Sequence, residues 1–491
     1  MNQDEELGRK LVKGSAWMIA MRWSARLMGL ISMAVVARLL TPADFGIYAI
    51  AITFIGLLDA LSDFGTEAAI IRHRQPEQPH YDTAWTVSVL GHLVIAILIA
   101  AFAPLAVHLY DDPRLLPVML VMAMSALIAG FTNIGVADFR KNLDFGLDFK
   151  LNVLVQLCGV AATIGFAFVL RDYWALVLGG LARTIARVFF GYRMHAYRPR
   201  LSLAARSELL AYSLWTMVRS GANFISSKGE RLIIGAYFGP ALTGIYSIAS
   251  DFATMIVFEL LQPIGRALFP GMAIKQEDKD WDKRNLPIIF SITATLSIAM
   301  GFGLSGIATP AMELIFGRQY SEGGTYLAIF SVQMAILGLL QPVSWYLTVH
   351  ANTEYSILLL IQGVCILATT TVLAFLGMPI EVIIYTNLAV NLLAFSQLLF
   401  MLKLLKGALS LADVARTWYR PFISGSLMLL VIDQLTFAIQ GNPFLSVLLG
   451  ALSGSLSFLI FLFGLWFLAQ RPDGFEYRLL TLLKSRLGMT N

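Results

Sequence analysis

Charge is scarce in this 491-residue chain: only 14% of residues are Asp, Glu, Lys or Arg, and mean hydropathy is +0.72. Soluble globular domains carry about 25% charged residues, so a water-soluble fold is excluded. Cysteine is nearly absent. Cys158 and Cys365 lie far apart in apolar segments, which excludes a disulfide framework or a cysteine metal cluster. Long polar loops are missing too, leaving no room for a soluble catalytic domain on either face. No GxxxxGK[ST] phosphate loop occurs, which argues against direct ATP driving. The net charge of +5 needs no nucleic acid to explain it.

What is abundant is apolar sequence, 57% of the chain. Runs long enough to cross a bilayer are expected near 15–39, 44–71, 83–108, 114–137, 149–170, 173–192, 208–237, 241–270, 286–309, 323–349, 355–376, 380–402, 421–440 and 444–469. The expectation is an all-α polytopic membrane protein of about fourteen transmembrane helices. The charged stretch Met1–Lys13 reads as the lead-in to an uncleaved first span. "LSLAARSELL", 201–210, is amphipathic and is expected to form an interfacial helix. Pro263 and Pro342 are expected kinks. The N-terminus, alternate loops and C-terminus hold 24 Lys and Arg; the opposite loops hold Arg114, Arg171 and Arg318, with Arg38 at a boundary. The positive-inside rule then predicts that both ends are cytoplasmic.

A repeat underlies the pattern. "LLTPADFGIYAIA" (39–51) aligns with "YFGPALTGIYSIA" (237–249), and the offset of 198 holds without a gap back to Ser15 and Ser213. Six intervening spans give both copies one orientation, a parallel repeat about the membrane normal. The expected organisation is an N-lobe (1–192), a basic linker (193–207), a C-lobe (208–402), a second linker (403–420), two accessory helices (421–469) and a tail (470–491). The result is two six-helix lobes related by a pseudo-two-fold, plus two C-terminal helices.

Charges inside spans are costly, roughly 2.5–3.5 kcal/mol each on insertion scales, so each needs a reason. Arg22 and Arg26 share one face of the first span; Arg183 and Arg187 share one face of the sixth. Arg219 lies in the same half of the seventh. Asp59, Asp63 and Glu67 follow the same four-residue step on the second span, with Arg22–Asp63 and Arg26–Asp59 as expected pairs. Five arginines against three acids leave a surplus of two positive charges. Guanidinium groups present paired planar donors to phosphate, so the surplus points to a hydrated pocket for an anionic head group. Asp251 on the eighth span is a candidate for a coupling proton or for an interhelical hydrogen bond. No metal site is expected, and the coupling source, proton or sodium, stays open.

The segment 14–73, with "ARLLTPADFGIYA" (37–49) and "LSDFG" (61–65), resembles the N-terminus of bacterial polysaccharide translocases. These form the polysaccharide-transport branch of the multidrug/oligosaccharidyl-lipid/polysaccharide exporter superfamily, which includes colanic-acid-type repeat-unit flippases. The resemblance implies movement of an undecaprenyl-diphosphate-linked oligosaccharide across the cytoplasmic (inner) membrane by alternating access through a cationic cavity. It also implies a head-group role for the Arg22–Arg26 region, and polysaccharide polymerase and export machinery as partners. A multidrug antiporter of the same superfamily is the first rival, disfavoured because cationic cargo calls for surplus acid. A membrane glycosyltransferase or polymerase is the second; "EDKDWD", 277–282, has Asp-x-Asp spacing but reads as a solvated loop.

Overall fold

The computed structural model describes residues 3–61, 67, 70, 71, 73, 75–206, 220, 221, 224, 225, 227–274, 279–405, 407, 409–438, 441–472 and 474–486. All regular structure among them is helical. The chain parts into two compact units, Met1–Gly244 and Ile245–Asn491.

In the first unit, α1 (Gln3–Leu39) gives way to α2 (Pro42–Leu61) at a stop encoded in four residues. Thr41 N–H and Oγ1–H both donate to Asp44 Oδ2, at 2.9 and 2.6 Å, while Pro42 starts the helix without an amide to satisfy. Next come α3 (Gln78–Tyr110) and α4 (Leu115–Gly130), then a 3₁₀ turn at Ile134–Val136 and the short α5 (Ala137–Lys141). The span expected at 114–137 is therefore bent, by 64°. Asn133 makes the bend: wholly buried, it accepts from Gly135 N–H and donates to the Tyr197 carbonyl, at 2.9 and 3.1 Å. α6 (Phe145–Leu170) and α7 (Trp174–Met194) pack antiparallel, with Gly179 pressed against Thr163 so closely that a Cβ there would stand 1.9 Å from Thr163 Oγ1. Ile47, Ile50, Ile95, Ile99, Val118, Met119 and Val177 form the core between α2, α3, α4 and α7.

α8 (Glu230–Ile274) crosses from the first unit into the second. It is broken at Gly239, whose φ of +76° no β-carbon residue adopts without strain. Gly239 stands at the repeat position of Thr41, and Pro240 at that of Pro42, so both copies break between their first and second spans. The copies also touch. A Cβ on Gly46 would lie 1.7 Å from the Pro240 carbonyl oxygen, and one on Gly244 would lie 2.0 Å from that of Pro42.

The second unit continues with α9 (Lys279–Gly306), α10 (Ala308–Phe316), α11 (Gly323–Leu339), α12 (Gln341–His350) and α13 (Asn352–Phe375). α14 (Ile380–Asn391), α15 (Phe395–Leu404), α16 (Leu411–Ala438), α17 (Pro443–Leu468) and α18 (Phe475–Arg486) complete it. α11 and α12 are bent by 44°, at the expected proline, Pro342. Ile298, Phe302, Met428, Ile432, Phe458 and Leu462 pack α9, α16 and α17 together. α18 is held by a buried Arg420–Glu476 pair at 3.0 Å and by Phe475 N–H donating to Ser291 Oγ at 3.1 Å.

Large apolar side chains are exposed on the outward helix faces, Val169, Phe375 and Leu468 among them, as a bilayer solvent requires. The protein is an all-α polytopic membrane protein. Among the described residues eight helices are long and apolar enough to span, or ten if each bent pair is one. That count does not reach the expected fourteen. α1, α2 and α16, on the first, second and thirteenth expected spans, are not in it, and residues 207–219 of the seventh lie outside the described residues.

Candidate functional site

α6 carries two stripes of contacts. Phe149 meets Trp17 of α1 at 4.8 Å between ring centroids, and Gln156 lies over Gly29 of α1. Asn152, Gly159 and Thr163 meet α7 at Arg187, Arg183 and Gly179. At about 100° per residue the two stripes are only some 60° apart around α6, so α1 and α7 flank it as neighbouring walls. Arg22 is two turns from Gly29 and shares its α6-facing side; it is half-buried, and Arg26 is exposed.

Arg183 lies across Gly159: a Cβ there would stand 2.7 Å from its Nε. The glycine leaves space for the guanidinium stem. Arg187 sits one turn nearer the end of α7 and reaches Asn152 Oδ1 at 3.5 Å. Among the described residues neither Arg183 nor Arg187 has a carboxylate partner. Two cations on an apolar helix with no carboxylate in direct contact among the described residues are costly to keep, and such guanidinium groups can donate to an anion.

Glu67 is placed differently from the arginine set. It accepts from Arg140 Nη1 at 2.7 Å, and Arg140 Nε lies 3.3 Å from Asp148, whose side chain is nearly buried. Asn152 Nδ2 donates to Asp148 Oδ1 at 3.0 Å and to the Asp148 carbonyl at 2.8 Å. Thus Glu67, Arg140, Asp148, Asn152 and Arg187 form one chain of polar contacts, with Glu67 serving in pairing. Arg140, Asp148 and Asn152 were not among the expected site residues. Arg219 and Asp63, and the side chain of Asp59, lie outside the described residues, and with them both expected Arg–Asp pairs. Asp251 is exposed on α8 and belongs to the second unit.

The segment after α7 completes this end of the first unit. Residues 195–205 carry no helix, so the interfacial helix expected over 201–210 does not begin at Leu201; Arg206 is helical, and residues 207–210 lie outside the described residues. This strap is fastened to the start of α3. Tyr197 Oη and Arg200 N–H both donate to Asp82 Oδ1, at 2.7 and 3.0 Å. Ser202 N–H donates to Thr86 Oγ1 and Ala205 N–H to Thr83 Oγ1, at 3.0 and 3.1 Å. Burial, and then the bond to Asp82, push the Tyr197 hydroxyl well above the usual phenol range.

Fold and site together define a polytopic helical membrane protein with guanidinium groups set among its apolar helices. The chain belongs to the family described as polysaccharide biosynthesis protein, whose model matches residues 35–324. It is 24% identical over 358 residues to the lipopolysaccharide biosynthesis protein WzxC of Escherichia coli K12, covering 71% of this chain and 72% of that one. It is 22% identical over 466 residues to the succinoglycan biosynthesis transport protein ExoT of Rhizobium meliloti, covering 92% of each. Among solved structures it resembles the lipid II flippase MurJ in an inward closed conformation, with TM-score 0.75 and 15% identity over 92% of this chain and 98% of that one. It also resembles the Vibrio cholerae MATE transporter VcmN, with TM-score 0.54 and 16% identity over 82% and 98%. At such identities the likeness shows the fold.

Proposed function

We propose that the protein is a flippase. It carries an undecaprenyl-diphosphate-linked oligosaccharide repeat unit from the cytoplasmic to the outer leaflet of the bacterial cytoplasmic membrane, for surface polysaccharide synthesis. It works by alternating access and makes or breaks no covalent bond. One observation carries the reading: Arg183 and Arg187 sit on an apolar helix against α6 with no carboxylate partner among the described residues. A diphosphate takes such paired donors, and its arrival would offset their desolvation. The family and the naming of ExoT as a transport protein support the class of cargo. The distribution of Lys and Arg supports cytoplasmic ends, and polymerase and export machinery are the natural recipients downstream. Proton or sodium coupling would act through acids such as Asp251.

The test is translocation of a fluorescent undecaprenyl-diphosphate sugar in proteoliposomes. Arg22→Ala and Arg26→Ala should block it while the protein still inserts and melts normally. Normal translocation by both variants would overturn the head-group role of α1. The drug-antiporter reading predicts surplus acid here instead, and export of organic cations would favour it. The transferase reading loses its Asp-x-Asp candidate in part, because Asp282 is buried in the first turn of α9 and bonded to Tyr346.

A further inference from the structure

The strap at 195–205 presents a combination that pocket chemistry does not use. Leu201 is 77% exposed and Leu203 41%, both large apolar side chains on a segment between Arg200 and Arg206, which are exposed as well. Leucines so exposed beside arginines are out of place in water and suited to the boundary between head groups and acyl chains.

The level of the strap supports that placement. It is bonded to Asp82, Thr83 and Thr86, which lie four to eight residues into the 33-residue α3. α3 is about 50 Å long, against about 30 Å for the hydrocarbon slab, so its first turns fall at the interface. Thr86, where Ser202 docks, begins a stripe continued at four- and three-residue steps by Leu90, Val94 and Ile97. Those three are 46%, 53% and 58% exposed, the marks of a lipid-facing stripe. The strap therefore lies at the foot of a surface that already meets lipid.

The backbone accounting agrees. Non-helical chain is tolerated near hydrocarbon only when its amides are satisfied by protein. Here α3 side chains take the N–H groups of Arg200, Ser202 and Ala205. Arg198 is spent on the same task, donating to the carbonyls of Tyr192, His195 and Tyr197. Arg200 and Arg206 remain for phosphate.

We propose that residues 200–206 are a membrane-surface anchor: Leu201 and Leu203 bed into the adjoining leaflet, and Arg200 and Arg206 hold the head groups of anionic phospholipid. In the orientation proposed above this is the cytoplasmic leaflet. The anchor itself does not depend on what the protein carries.

Two measurements test it on the full chain. Leu201→Cys, in a background with Cys158→Ser and Cys365→Ser, is labelled with a fluorophore in vesicles of phosphatidylethanolamine and phosphatidylglycerol. Quenching by brominated acyl chains, with protection from water-borne iodide, is the expected result. Equal iodide quenching in detergent and in vesicles would overturn it, as would protection that arises only when a second protein is added. The other measurement is the rise in melting temperature on adding phosphatidylglycerol to purified protein. Arg200→Ser with Arg206→Ser should raise the phosphatidylglycerol concentration needed by about thirtyfold, since each surface arginine is worth roughly a factor of five. An unchanged titration would sink the arginine half of the proposal.

Discussion

Replacing Gly46 with alanine isolates the contact between the two repeat copies. In a free helix the change is favourable by about 1 kcal/mol, since glycine is the poorer helix former. Here the new Cβ would stand 1.7 Å from the Pro240 carbonyl oxygen. An ordinary carbon–oxygen contact is about 3.3 Å or more, so the first turn of α2 must retreat by roughly 1.5 Å. Overpacking of that kind costs about 1–3 kcal/mol, and the opposing atom is backbone, which cannot swing aside. The sign is therefore destabilising, with a net loss of up to about 2 kcal/mol once the propensity gain is subtracted. Gly165→Ala on α6 is the control, because nothing lies within 4 Å of its Cβ position; it should be neutral or stabilising. The assay is thermal unfolding of the purified protein in one detergent, followed by tryptophan fluorescence. If Gly46→Ala melts with or above Gly165→Ala, the close approach of the copies is not the packing that this reasoning requires. Gly244→Ala, at 2.0 Å from the Pro42 carbonyl oxygen, should behave like Gly46→Ala.

Arg183→Ala and Arg187→Ala should each weaken binding of undecaprenyl diphosphate about 10- to 100-fold, as expected for one charge-assisted hydrogen bond to phosphate; calorimetry on the purified protein reads it, and unchanged affinity would move the site. Arg140→Ala should lower thermal stability by about 1–3 kcal/mol, chiefly because it strands the nearly buried Asp148, whereas Glu67→Gln should cost less, its side chain being 41% exposed. Asp413 accepts from the Ser410 hydroxyl and amide, which hold its carboxyl below the usual 3.8. Its contribution is present above that value and lost as the pH falls through its lowered value, so amide exchange at the start of α16 should quicken below about pH 4. Ser410→Ala should flatten that pH dependence.

Local sequence carried much of this. The stop between α1 and α2 is written in Thr41, Pro42 and Asp44, and the bend between α11 and α12 in Pro342. The 64° bend after α4 has no proline; it comes from Asn133, whose partners include Tyr197, 64 residues away. No periodicity records such a pairing. The same holds for the strap, whose form depends on Asp82, Thr83 and Thr86 more than 110 residues earlier. In the site, the arginine pair on α7 was visible from its four-residue spacing. Asp148 and Asn152 have that spacing too, but they stand where a loop meets a helix, and a polar pair there looks solvated until Arg140 closes over it. Glu67 shows the converse: its step from Asp63 suggested one acidic face, while it pairs with Arg140 of α5.

The duplication gains meaning from the contact itself. A segment copied in the same orientation places equivalent residues at the same depth in the bilayer, on either side of an axis along the membrane normal. An inverted copy places residues near a span's end at opposite surfaces. Residues 42 and 46 begin α2, and 240 and 244 begin the part of α8 beyond Gly239, its repeat counterpart, which a parallel repeat brings to one depth. They meet reciprocally: Pro42 backs onto Gly244 and Pro240 onto Gly46. That exchange is the signature of a two-fold relation, in which residue i touches j and the copy of i touches the copy of j. Both meetings put a glycine against a backbone carbonyl. A joint built this way tolerates no added β-carbon on either side, so each copy constrains the residue that its counterpart can carry.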